Sequence, residues 1–154
     1  MTPSRVIPFV LAAAALLGLG ACTFGDGDRA ERDRIRHEIG RGADWITTLS
    51  PPPGFEAVEC SRPSSDGDRC WRVPGAPRQA LDALAPLVAS GGFGDLATDC
   101  SGSPTVGGDP AGCTAYPGVL RMVATRDVDT SATTKDDLVL DTSTVWIGTL
   151  HLGD

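Results

Sequence analysis

The sequence predicts an α+β domain in which two helices cover one face of a small, mostly antiparallel sheet of about four to five strands. Three observations carry that reading. Residues 31–48 and their flank place Ile35, Ile39, Ala43, Ile46 and Leu49 at spacings of three and four, one side of a helix. Residues 119–126 instead alternate, with Leu120, Met122 and Ala124 on one face and Arg121, Val123 and Thr125 on the other. Between such segments lie runs of Gly, Pro, Ser and Asp that punctuate the chain.

Taken in order, the segment read as Gly-Asp-Gly-Asp-Arg-Ala-Glu-Arg-Asp from residue 25 has little apolar surface to bury and alternates in charge. Residues 22–33 are therefore expected to form a solvated, flexible tether ahead of a single domain over residues 34–154. The first helix is expected over residues 31–48. Gly40 and Gly42 each cost up to about 1 kcal/mol in a helix interior, so a break there is compatible with the pattern. The run Pro51-Pro52-Pro53-Gly54 ends the helix, because proline has no amide to donate and restricts the residue before it.

Residues 55–60 and 70–73 read as two strands closing on a loop over residues 61–68. A second helix starts at Pro77 and carries Leu81, Leu84 and Val88, with Pro86 expected to kink or split it and Gly91-Gly92 to stop it. Residues 95–100 lead into a Gly/Pro/Ser-rich loop at 101–112, and a strand covers 119–126. Residues 127–137 read as a polar turn, and residues 138–152 as one long strand or two short ones. Trp146, Leu150 and Leu152 share one face of that last segment and Val145 and Ile147 the other, the signature of a central strand.

Four of the five cysteines flank the two loops: Cys60 and Cys70, Cys100 and Cys113. Four cysteines allow three pairings. Pairing across each loop is favoured, because two strands closing on a loop bring its flanks together, and each closure would stabilise by roughly 2–3 kcal/mol. A four-thiolate zinc site has no C-x-x-C spacing to support it, and redox catalysis lacks the same motif.

The fifth cysteine ends a different pattern. Upstream of it stand Arg5, an apolar run over residues 6–19, and small residues, the three parts of a secretory signal; the run falls short of the roughly 20 residues a membrane span needs. Leu19-Gly20-Ala21-Cys22 resembles the lipobox of bacterial lipoproteins. The resemblance implies that residues 1–21 are a signal peptide removed on export and that Cys22 is the lipidation site and first mature residue. It also implies anchoring in the cell membrane through that lipid, on the extracytoplasmic face, where disulfides form. The competing readings of this segment are a transmembrane anchor or an ordinary signal cut elsewhere.

Removing residues 1–21 takes away one of the 13 basic residues, Arg5, and none of the 20 acidic ones, leaving a formal charge of about −8. An acidic domain does not suit nucleic acid, which wants a basic stripe. Chemistry-bearing motifs are sparse. His37 and His151 are the only histidines, and no G-x-S-x-G occurs. Asp66-Gly67-Asp68, Asp127-Val128-Asp129 and Asp136-Asp137 read as solvated turns, since none follows the spaced acidic pattern of a calcium loop. Gly91-Gly92-Phe93-Gly94 lacks the lysine of a phosphate loop. Trp45, Trp71 and Trp146 read as core in a domain with so few aromatics.

No catalytic residue, metal ligand or cofactor is expected, and the ligand-binding residues are not identified by the sequence. The leading expectation is a non-enzymatic envelope lipoprotein that presents a domain for binding or accessory work, with a protein or small-molecule partner of unstated identity. A carrier or sensor would place a small molecule between helices and sheet, in a cavity lined by two of the tryptophans. An envelope-acting enzyme would show a cleft with a buried carboxylate beside His37 or His151.

Overall fold

The computed structural model describes residues 24–61, 67–129 and 139–150. Its helices are α1 (Phe24–Thr48), α2 (Pro77–Asp82) and α3 (Ala85–Ser90). Its strands are β1 (Glu56–Val58), β2 (Arg69–Pro74), β3 (Thr98–Asp99), β4 (Thr105–Val106), β5 (Asp109–Pro110), β6 (Gly112–Ala115), β7 (Leu120–Val128) and β8 (Val139–Thr149). Six of them form one antiparallel sheet in the order β1-β2-β8-β7-β6-β3, while β4 and β5 pair as a separate hairpin. The sheet is thus wider than the expected four to five strands, with the very short β1 and β3 at its two edges.

The last strand is also the most enclosed. β8 lies between β2 and β7, hydrogen-bonded on both sides, which accounts for apolar residues on both of its faces. Val145 and Ile147 point into the core with Trp71 and Val73 of β2 and with Leu120, Met122 and Ala124 of β7. The alternation read from residues 119–126 therefore holds as burial, and it continues further: β7 runs to Val128, so Asp127 belongs to a strand and not to the polar turn expected from residue 127. A bulge between Arg126 and Val128 interrupts the β7–β8 register beside it.

Helices close the core from one side. Ala80, Leu81, Leu84 and Val88 of the α2–α3 segment are almost fully buried against the sheet. The expected second helix is split, with α2 ending at Asp82 and α3 beginning at Ala85. Pro86 is the physical cause, since it withholds the amide that would continue the ladder. Gly91 caps α3 and Gly92, at φ 73°, takes the left-handed conformation that a chain reversal there requires.

α1 departs from expectation at both of its doubtful points. It is unbroken at Gly40 and Gly42. A Cβ on Gly42 would lie 3.1 Å from Val119 and 3.3 Å from Leu120, so the glycine lets the helix approach the sheet closely. The helix also begins at Phe24 rather than near residue 31, which makes most of the expected tether helical. Residues 27–34 are solvent-exposed, as a tether would be. Ion pairs of Arg34 with Glu31 and Glu38, and of Arg36 with Asp33, run along the helix surface at i,i+3 and i,i+4. Such exposed pairs are screened by solvent and contribute little to stability. No helix among the described residues is long and apolar enough to cross a membrane.

Two covalent links finish the frame. Cys60 joins Cys70 across the β1–β2 loop, with Cα atoms 5.2 Å apart, and Cys100 joins Cys113, with Cα atoms 4.2 Å apart. Both are the loop-flanking pairs expected from the spacing, and the second brackets the β4–β5 hairpin between two strands that pair directly, β3 and β6.

Candidate functional site: the uncovered face of the sheet

Because α1, α2 and α3 all pack on one side, the other side of the six-stranded sheet is left without a helix over it among the described residues. Strand pairing aligns a continuous row on that face: Val58, Cys70, Trp146, Val123, Thr114 and Asp99, one residue from each strand. At about 4.8 Å per strand the row extends roughly 24 Å. The adjacent row holds Glu56, Arg72, Thr144 and Thr125. An open basin of about 1200 Å³ lies over these rows, lined among others by Val58, Tyr116, Arg121, Val123, Thr144 and Trp146.

Trp146 lines the basin and its orientation is held by three neighbours. Gly148, two residues on and therefore on the same face, has no side chain, and the indole occupies the space its Cβ would take. The indole Nε1–H donates to Oδ2 of Asp68 at 3.0 Å. Asp68 is only 9% exposed, so this acceptor is fixed in place and is not the solvated turn residue its Asp-Gly-Asp context suggested. Arg121, the cross-strand partner of Gly148, sets its guanidinium 5.8 Å from the centroid of the Trp146 ring. The result is a half-buried aromatic platform with a defined tilt beside a cation.

The charges on this face differ in how they are satisfied. Arg72 donates from Nε to Oδ2 of Asp127 at 3.2 Å. Asp127 also accepts from Thr142 Oγ1 at 2.8 Å and from Thr144 Oγ1 at 2.7 Å, so one carboxylate ties β2, β7 and β8 together. Arg121 is exposed and, among the described residues, has no hydrogen bond or ion pair; its contact is the Trp146 ring. At the far end of the row, the Ser101 backbone N–H donates to Asp99 at 2.9 Å and holds that carboxyl below the ordinary aspartate value.

The three tryptophans thus separate into different roles. Trp71 is 1% exposed and sits in the core as expected. Trp45 packs on Gly91 and stacks with Phe93 at 4.9 Å, while Arg41 lies 4.4 Å over the Phe93 ring and donates to the Gly91 carbonyl. That cluster clasps α1 to the turn after α3, so the Gly91-Gly92 segment serves packing. Trp146 is the one that was misjudged as core. A tryptophan followed by glycine at i+2 in a strand was the available signal, since the pair leaves room for a ring to lie along the sheet.

Other anticipated residues are brought to no common site. His37 sits in a shallow groove on α1 with Asp33, Arg36, Gly40, Arg41 and Asp44, and both carboxylates there are exposed. His151, Asp66, Asp136, Asp137 and Cys22 lie outside the described residues. Among the described residues no cluster of three or more metal-ligating side chains occurs. No protein-family model matches the chain, and no curated protein or solved structure is significantly similar to it. What the uncovered face offers chemically is an aromatic surface, a cation without an ion-pair partner among the described residues, and a set of threonine hydroxyls. Those are the parts of a recognition surface.

Proposed function

We propose that this protein is a cell-envelope lipoprotein, held on the outer side of the cytoplasmic membrane by a lipid on Cys22, whose domain is a non-enzymatic binding module. The anchor rests on the resemblance of Leu19-Gly20-Ala21-Cys22 to a lipobox. Two disulfide pairs suit an oxidising compartment. A diacylglyceryl group brings two acyl chains, enough for stable anchoring where one chain is marginal. α1 starts two residues beyond Cys22, and its first turns, exposed over residues 27–34, act as a stalk: residues 24–34 rise about 15 Å at 1.5 Å per residue.

The observation that carries the binding part is Trp146, an aromatic side chain held in one orientation by Asp68 and Gly148 on a face with no helix over it among the described residues. Holding a ring this way on an open surface reduces the ordering cost of a contact made there. The small-molecule carrier remains the second reading. The space between helices and sheet is filled by Leu81, Leu84, Met122 and Ile147, so a small ligand would also take the open face.

Oxidative footprinting tests the binding surface. In the purified protein Trp146 and Tyr116, the latter 54% exposed, should oxidise readily while Trp71 stays inert. In intact envelopes Trp146 and Tyr116 should be protected by the bound partner. Equal oxidation of both residues in the two settings would remove the open face as the binding surface.

A further inference from the structure

We propose that the uncovered face binds an anionic glycan, with a sugar ring on the Trp146 indole and the carboxylate or phosphate of that ring or its neighbour on Arg121. The proposal rests on the reading of this face as the binding surface and names its ligand chemistry.

Charge is the first argument. The chain carries a formal charge of −7, and Arg121 places a cation beside the aromatic ring of the open face. Arg72 on the same face is neutralised by Asp127, whereas Arg121 has no carboxylate partner among the described residues. Two of the acidic groups around the basin are committed to partners. Asp127 is taken by Arg72 and two threonines, and Asp68 by the Trp146 N–H. Glu59 lines the basin at its β1 end, Glu56 lies on β1 three strand spacings from β7, about 14 Å, and Asp99 ends the row on β3, two spacings from β7, about 10 Å. A guanidinium left this way matches a carboxylate or phosphate with two parallel N–H donors.

The second argument is the company Arg121 keeps. Val58, Cys70, Trp146 and Val123 form one apolar row across four neighbouring strands, continued by Thr114 and flanked in the adjacent row by Arg72, Thr144 and Thr125. A pyranose has the complementary pattern, an apolar C–H face for an indole and a rim of hydroxyls that exchange hydrogen bonds with threonine Oγ1. From Trp146 on β8 to Thr114 on β6 is two strand spacings, about 10 Å, the length of a disaccharide. The carboxylate of a uronic sugar and the phosphate of a sugar-phosphate polymer present the same charge to Arg121.

Titration of the full-length protein in detergent, followed by the indole N–H resonance of Trp146, tests this. The probes are a hexuronic acid oligosaccharide, a sugar-phosphate oligomer, a neutral oligosaccharide of the same length, and a poly-glutamate peptide. Either anionic saccharide should shift the Trp146 resonance and bind at least tenfold more tightly than the neutral one, with an affinity that falls as salt rises. Arg121→Gln should erase that preference, Arg121→Lys should keep part of it, and both should lower the melting temperature only slightly, because the side chain is exposed and loses only its contact with the Trp146 ring. Which anionic saccharide binds better distinguishes carboxylate from phosphate as the source. Equal binding of the neutral saccharide, or tighter binding of poly-glutamate, overturns the proposal. So does the absence of any saccharide-induced shift at millimolar concentration. Protection of Trp146 in intact envelopes would then still stand, and would point to a partner of another class.

Discussion

The indole of Trp146 lies in the space that a side chain at Gly148 would require. This pairing of a large ring with an empty position two residues along the same strand orients the half-buried tryptophan of the open face, and Asp68 completes the arrangement from just before β2. It also makes the open face sensitive to a single methyl group.

Gly148→Ala should therefore displace the ring and break its hydrogen bond to Asp68. Overpacking of this kind costs about 1–3 kcal/mol. A denaturant midpoint lowered accordingly, together with an upfield move of the Trp146 indole N–H resonance, is the expected outcome; an unchanged resonance would show that the ring does not depend on Gly148.

Asp127 should be worth more than the salt bridge it makes. Its carboxylate accepts three hydrogen bonds from three side chains, and Asn at this position keeps one oxygen while presenting an N–H₂ to donors. Asp127→Asn is expected to lower stability by about 1–3 kcal/mol, whereas Arg72→Gln, which removes only a half-exposed partner, should cost less than about 1 kcal/mol. Urea midpoints of the two variants decide it, and equal losses would mean that the threonine bonds contribute nothing.

The helical start of α1 gives a prediction in pH. The Arg34 side chain, by hydrogen bond and by charge, holds the Glu31 carboxyl below its ordinary value. A carboxyl with a depressed folded pKa stabilises the helix above the ordinary glutamate range, and that contribution disappears as pH falls through the folded value. Backbone shifts of residues 27–34 should report helix at neutral pH and fraying on acidification, with the core of α1 around Ile46 unaffected. Coil shifts at neutral pH would return this segment to a simple tether.

How far the fold was readable depended on which force shapes each element. Where apolar burial decides, periodicity was sufficient: Leu120, Met122 and Ala124 face the core, and β8 is central because both of its faces carry apolar residues. The beginning of α1 escaped because it is laced by charge pairs and buries little. Asp68 and Asp127 escaped for another reason. In Gly/Asp-rich segments an aspartate reads as a turn, and only strand pairing places these two against Trp146, Thr142 and Thr144 from distant parts of the chain. The disulfides were legible, since each pair bounds a loop between strands that the sheet itself brings together.

The measurement that tests the account most directly is the intact mass of the protein extracted from membranes, taken beside that of Cys22→Ser. The wild type should begin at Cys22 and exceed its sequence mass by a diacylglyceryl group. The variant should carry no lipid mass and should remain as an uncut precursor or leave the membrane after cleavage elsewhere, with an unchanged melting temperature because neither disulfide uses Cys22. An unmodified N-terminus at Cys22 in the membrane-bound wild type, or wild-type protein that is wholly soluble after export, would contradict the lipoprotein assignment.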